Sequence, residues 1–396
     1  MIKFNSIYLN SCKKERKSVI LFYAFIMLYA LYANITWHLP GLLCVFFQGV
    51  VSFFLIYINK SNITRQKKNL IVLAILAILI CSVTQNFIGK IANFLSFLPF
   101  LAFICLKDDR KLAIFNAIEN ILVAIFAISA ICWGGYLSGV NFFPGRHEMF
   151  NEYNFINYFF FVAPANVYTL IPRFQSIFIE PGYIGSLLAL LLYIHNFNLK
   201  DWKCVVYLVS LIMTFSLAGY LIAITGFVWN KLFLNGTNKL KSFFLLLIAT
   251  GGLFCAINFN DGDNIVNNIV FSRLEPSADG TIRQNRTTDD FDAYFDRFIT
   301  SEKALFGDQE TYNQKYKDSD SVGIKVFIVM NGLVGLVSYL LMLFILLKNV
   351  GISKKSIGML ALFLLFFVRG HLFSFSPFFL IVLYQGLSNQ YSEKVC

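Results

Sequence analysis

The chain has 396 residues, 57% of them hydrophobic and only 14% charged, with a net charge of +11 and a mean hydropathy of +0.65. So little charge cannot cover a water-soluble protein of this length, so composition excludes a soluble globular domain and places the chain in a bilayer. Eight cysteines (Cys12, Cys44, Cys81, Cys105, Cys132, Cys204, Cys255 and Cys396) form no C-x-x-C pair and fall mostly in apolar runs, so they read as small buried hydrophobes and imply neither a disulfide framework nor a metal site.

The first apolar run follows Lys13, Lys14, Arg16 and Lys17 and has no small-residue cleavage site after it, so it reads as an uncleaved first helix. Taking roughly 20 apolar residues as a crossing, the chain divides into about a dozen candidate spans. In order they are Val19–Trp37, Gly41–Ile58, Leu70–Gln85, Ile91–Leu106, Ala113–Leu137 and Gly182–Phe197. Then come Cys204–Leu217, Tyr220–Trp229, Phe243–Phe259, Val322–Leu347, Ile357–Val368 and Phe378–Leu387. The pair joined at Ser216-Leu217-Ala218-Gly219-Tyr220 also reads as one broken helix. The expected fold class is therefore an all-α, polytopic integral membrane protein with about 12 transmembrane helices, a single membrane domain over residues 1–396.

With both termini in the cytoplasm, the short basic loops Arg65-Gln66-Lys67-Lys68 and Lys107-Asp108-Asp109-Arg110-Lys111 fall on one side, the positive-inside pattern. The basic excess is thus a topology signal and implies no nucleic-acid partner. Two long segments face the other side, Ser138–Glu180 and Asn260–Ser321, and loops on a rigid scaffold are where chemistry concentrates.

The first outer segment is rich in aromatics from Phe142 to Tyr168, which read as an interfacial belt or as platforms for sugar faces, the interfacial reading being favoured. It ends in Arg173…Glu180-Pro181-Gly182. Local physics favours Glu180 as a helix cap at the positive end of the dipole; the functional reading is a rim carboxylate that acts as a base or orients a sugar hydroxyl. In the second segment, Thr288 as cap, Asp289 and Asp290 in the first turn, and Phe291, Tyr294, Phe295 and Phe298 on one face predict a short amphipathic helix. Its apolar face is expected to rest on the membrane surface or the first loop. Asp292 and Asp296 read as its solvated face rather than an acid/base pair. Arg283, Arg286 and Arg297 offer rigid donor forks suited to phosphate oxygens. Arg369-Gly370-His371 interrupts an apolar stretch, and a charge near membrane depth is a functional-site hypothesis. Arg369 and His371 would stand beside the same outer mouth, although a lone interfacial histidine is more often structural. Glu119 reads as a side chain snorkelling from the cytoplasmic end of its span.

Three short motifs in order carry a resemblance. Arg173…Phe178-Ile179-Glu180-Pro181-Gly182-Tyr183-Ile184-Gly185, then Phe215-Ser216-Leu217-Ala218-Gly219-Tyr220, then Ser321-Val322-Gly323…Asn331-Gly332-Leu333-Val334-Gly335-Leu336 after a long outer loop resemble the O-antigen polymerase family of Gram-negative bacteria. The resemblance implies a glycosyltransferase at the periplasmic face of the inner membrane, moving a growing glycan from undecaprenyl diphosphate to a new lipid-linked repeat unit. That scheme calls for no metal, nucleotide sugar or other cofactor. The implied partners are the undecaprenyl-diphosphate-linked oligosaccharide repeat units, the bilayer and a chain-length regulator protein. Family members carry an arginine and a glycine with about ten residues between them; Arg297…Gly307, with nine between, is one residue short of that spacing and Arg173…Gly185, with eleven, one residue long. The roles implied are Arg173 and Arg297 neutralising the leaving diphosphate, Glu180 orienting or deprotonating the acceptor hydroxyl, and Arg283, Arg286, Arg369 and His371 binding the diphosphate. O-antigen ligases resemble this chain except for a histidine in the second outer loop, and Asn260–Ser321 contains none, so the polymerase is preferred. A lipid-linked oligosaccharide flippase is the transporter alternative, but flippases are pseudo-symmetric and here no two halves match.

Overall fold

The computed structural model describes residues 17–140, 142–150, 153–165, 171–234, 288–316, 323–369 and 375–388, with the backbone alone at 368–369. Thirteen α-helices appear among them. The first eight are α1 Lys17–Ala30, α2 Gly41–Ile58, α3 Arg65–Cys81, α4 Phe87–Cys105, α5 Asp108–Leu137, α6 Pro181–Ile194, α7 Trp202–Met213 and α8 Leu217–Trp229. The remaining five are α9 Asp289–Phe298, α10 Gln309–Lys315, α11 Ile324–Val350, α12 Lys354–Arg369 and α13 Pro377–Leu387. Each apolar span expected within the described residues is a helix; Phe243–Phe259 lies outside them.

Solvent-facing apolar side chains identify the surroundings. On α2, Leu42, Phe46 and Phe53 are 69%, 64% and 65% exposed, and Val337 and Phe344 on α11 are exposed likewise. An aqueous surface does not carry such rows, so the chain is a membrane-embedded helical protein.

Twelve full-length crossings are not what the helices show. Five are long and apolar enough to cross: α2, α4, α5, α8 with its π-helical extension to Leu234, and α11. Helices α6, α7 and α13 have only 14, 12 and 11 residues. At 1.5 Å per residue α6 reaches about 21 Å, short of a hydrocarbon layer of about 30 Å. The physical reason is burial. Every residue of α6 is buried, as is nearly all of α13, so these helices pack against protein rather than lipid, and non-helical chain can complete their path.

The first outer segment departs from the all-α expectation. Strands β1 Arg146–Phe150, β2 Tyr153–Asn157 and β3 Val162–Pro164 form an antiparallel sheet in the order β1-β2-β3, with Arg146 opposite Asn157 and Phe155 opposite Pro164. Its rings pack mainly on protein. Trp37 stacks on Phe150 at 5.3 Å, Phe155 is buried with it, and Tyr158 stacks on Phe161 at 4.6 Å. Cys44, Cys81, Cys105, Cys132 and Cys204 are free and buried, as small apolar residues would be.

Helix α11 is broken in its N-terminal half. Gly332 has φ 72° inside it, and the freed backbone groups find partners elsewhere. The Thr84 hydroxyl donates to the Met330 carbonyl (3.1 Å), Asp308 N–H to the Val329 carbonyl (2.6 Å), and Val334 N–H to the Leu305 carbonyl (3.1 Å). A Cβ at Gly332 would collide with the Leu305 carbonyl, and one at Gly307 would come within 2.6 Å of the Met330 carbonyl. Two glycines at positive φ thus let the turn before α10 lie backbone-to-backbone on the break.

Candidate functional site

Residues 171–180, just before α6, run without regular structure, yet Phe174, Gln175, Ser176, Ile177 and Phe178 are all buried. Irregular backbone at this depth persists only where protein satisfies it. Here Trp133 Nε1 donates to the Pro172 carbonyl (3.2 Å), Val162 N–H to that of Ser176 (2.9 Å), and Asn34 N–H to that of Ile177 (2.8 Å). The Ser129 and Ser176 hydroxyls share a 2.7 Å hydrogen bond. Ser176 sits at φ 55°, a conformation that side chains disfavour and that these contacts impose.

The same segment caps α7. A helix leaves its last carbonyls without intrahelical donors. Phe174 N–H donates to the Met213 carbonyl at 3.0 Å, and Arg173 Nε to the Thr214 carbonyl at 3.0 Å. Thr214–Ser216 then separates α7 from α8, with Phe215 at φ 47° and the Ser216 hydroxyl accepting from Gly219 N–H (3.2 Å). The junction is therefore two helices joined by a three-residue break. Behind it α6 and α8 meet through glycines: a Cβ at Gly219 would lie 2.8 Å from the Gly185 backbone, and one at Gly185 would lie 2.7 Å from Ser216. Arg173, half-buried, is thus held flat on this break, within electrostatic reach of Tyr220.

Glu180 occupies the N-cap position of α6, with φ −136° and ψ 120°, and Pro181 opens the helix. Its side chain makes no capping hydrogen bond; only its carbonyl begins the helix, accepting from Ile184 N–H at 3.4 Å. The cap expected of the carboxylate is therefore corrected. Capping suits the short side chains of Ser, Thr, Asp and Asn, and Pro181 supplies no N–H in the first turn.

Arg297 belongs to a separate packing unit. Helix α9 starts where expected, with Thr288 Oγ1 accepting from Phe291 N–H (3.3 Å). Among the described residues its apolar face rests on neighbouring helices and not on the first loop. Phe291 and Phe298 pack with Ala304, Tyr312 and Val326 and Val329 near the start of α11. Arg297 is exposed and turns its Nε to its own Ala293 carbonyl (3.1 Å). Asp292 is not simply solvated: it is half-buried and pairs with Lys325 at 2.7 Å. Arg283, Arg286 and His371 lie outside the described residues; Arg369 ends α12, its side chain outside them too.

Asp308 ties this unit together. Its carboxylate accepts from Lys303 Nζ (2.7 Å), the Thr311 hydroxyl (2.8 Å), Tyr294 OH (3.1 Å) and Thr311 N–H (3.3 Å). Burial alone would raise its carboxyl, but the hydrogen bonds from Lys303, Thr311 and Tyr294 outweigh that and hold it below the usual carboxylate range. Burial and the same carboxylate push the Tyr294 hydroxyl up to about 12.

At the far end of α6 stands a second polar cluster. Glu119 does not snorkel: it is 1% exposed, bonded through Oε1 to His195 Nε2 and through Oε2 to Lys203 Nζ at 2.8 Å. Asp201 faces His195 Nδ1 at 2.9 Å. A buried span residue cannot reach water past the α6–α7 turn, so it takes protein partners instead. Nearby, Lys355 Nζ donates to the Ile194 carbonyl (3.1 Å), capping α6. Ligand atoms of His195, Asp201 and Cys204 lie within 4.8 Å of one another, a spacing at which a metal ion is conceivable. Both imidazole nitrogens already face carboxylates, so the arrangement works as a polar lock.

Sequence reasoning located Arg173, Glu180 and the α7–α8 break, but not that the first caps the last. It missed Gln175, Thr214, His195, Asp201 and Asp308. Crowding of His195, Asp201 and Lys203 at one span end was the available signal for the lock. No protein-family model matches the chain, and neither curated proteins nor solved structures yield a match.

Proposed function

We propose that this chain is a polysaccharide polymerase of the O-antigen type, working at the periplasmic face of the bacterial inner membrane. It transfers a growing glycan from undecaprenyl diphosphate to the non-reducing end of a new lipid-linked repeat unit. In the step, the bond between the anomeric carbon and the diphosphate oxygen breaks as that carbon bonds the acceptor hydroxyl oxygen. Glu180 takes the hydroxyl proton, and the diphosphate leaves with the electron pair, its charge met by Arg173 and Arg297. Arg283, Arg286, Arg369 and His371 complete the diphosphate site in this reading.

One observation carries it: two short motifs far apart in sequence meet in one junction, Arg173 on Thr214 and Gly185 on Ser216 and Gly219. A crossing helix has no need of a buried non-helical segment that begins with an arginine and ends with a half-buried carboxylate. A site that receives an anionic lipid headgroup from the membrane plane does. In this topology both termini are cytoplasmic. A chain-length regulator would dock from outside.

The test is the lipopolysaccharide ladder of a deletion strain. A single repeat on the core, restored to long chains by this gene, is the polymerase result; bare core points to a ligase or flippase. Reporter fusions at Gly145 and Ser301 should behave as periplasmic, and those at Gln66 and Lys354 as cytoplasmic; a cytoplasmic Ser301 overturns the site.

A further inference from the structure

We infer that Gln175 is a substrate-binding residue whose carboxamide reads the sugar next to the diphosphate, a role that rests on the polymerase reading above. Gln175 is 1% exposed, and neither its Oε1 nor its Nε2 has a hydrogen-bond partner among the described residues. The neighbouring backbone groups, by contrast, are satisfied. Its own carbonyl accepts from Phe178 N–H (3.1 Å), and the groups on either side bond to Met213, Val162, Ser129 and Asn34. A buried carboxamide without partners is unfavourable and calls for an explanation. A packing role does not supply one, because methionine fills the same volume with no polar atom to satisfy.

Position supplies the explanation. Gln175 lies two residues from Arg173, in the buried segment that ends at Glu180. The strained Ser176 (φ 55°) follows it, and the segment abuts the strained Phe215 (φ 47°) at the helix break. Such conformations concentrate where a binding segment changes shape. Small shifts there bring the carboxamide to a ligand held by Arg173.

The chemistry of the orphan atoms selects the ligand part. A carboxamide presents a donor and an acceptor side by side. Phosphate oxygens are acceptors only and would leave Oε1 unsatisfied. A sugar hydroxyl or acetamido group both donates and accepts, so it satisfies both atoms. The division of labour is Arg173 on the diphosphate and Gln175 on the glycan.

The experiment compares full-length wild type and Gln175→Met in lipid nanodiscs. Two probes are used: undecaprenyl diphosphate without sugar, and the undecaprenyl-diphosphate-linked repeat unit purified from the same strain. Wild type should bind the sugar-bearing lipid about 10- to 100-fold more tightly than the bare one, the worth of one or two hydrogen bonds to buried groups. Gln175→Met should lose that preference, keep wild-type affinity for the bare lipid, and melt no lower than wild type. A Gln175→Met protein that retains the full preference overturns the assignment. So does one that melts several degrees lower, because the carboxamide then has a structural partner. If wild type binds neither lipid, the polymerase reading itself falls, and the role of Gln175 with it. Arg173→Lys, by contrast, should weaken both lipids alike.

Discussion

The two ends of α6 treat polarity in opposite ways. At the His195 end, the Glu119 and Asp201 carboxylates are paired with the His195 imidazole and the Lys203 ammonium, and Lys355 closes the helix terminus. At the Pro181 end, an arginine is laid on a backbone carbonyl, a carboxylate declines to cap, a carboxamide has no described partner, and a serine is held at positive φ. A saturated network stabilises one arrangement, whereas strained backbone and an unpartnered buried carboxamide are what the proposed binding end would retain. In that proposal the paired end anchors the short, fully buried helix.

That contrast is open to a double dissociation. The largest effect expected is from Glu119→Ala, which strands His195 and Lys203 in the bundle and should destabilise by about 3–5 kcal/mol. Thermal unfolding in detergent measures it, and the cycle with His195→Ala should be far from additive. Folded Glu119→Ala protein that remains should still polymerise. Arg173→Lys should do the reverse. Lysine can still donate to the Thr214 carbonyl but cannot present a bidentate fork, so chain elongation should fall by about 10²–10³-fold at normal protein level and melting temperature. An Arg173→Lys strain with a full ladder would reduce the site to a generic positive charge.

The unit of α9 and α10 repeats the contrast on a smaller scale. Asp308→Ala leaves Tyr294, Lys303 and Thr311 without their acceptor and should loosen α9 and α10 by about 1–3 kcal/mol, read as faster hydrogen exchange over residues 288–316. Because the folded Asp308 carboxyl sits below its ordinary 3.8, its contribution is fully present above that value. It is lost as pH falls through the lower folded value, so exchange in wild type should accelerate only below about pH 4. Asp292→Ala, which breaks one partly exposed pair with Lys325, should change stability by about 0.2–1 kcal/mol and leave the ladder intact.

Much of this architecture was written in the sequence. Apolar runs fixed where helices form because a bilayer leaves the backbone few other ways to satisfy itself, and Thr288 with Phe291, Tyr294, Phe295 and Phe298 spelled out α9 by capping and periodicity. Arg173, Glu180 and the Ser216–Tyr220 break were likewise visible as interruptions of apolar sequence. Their meeting was not, because it depends on which carbonyls a helix end leaves open and which distant segment reaches them. Nor was the true length of α6, set by its burial on all sides rather than by its hydropathy. Glu119 shows the same limit: a carboxylate near a span end can reach water or pair inward, and only the packing of the α6–α7 turn over it decides which. Local chemistry is periodic and short-ranged, so sequence reports it; satisfaction of buried polar groups is long-ranged, so only the tertiary structure does.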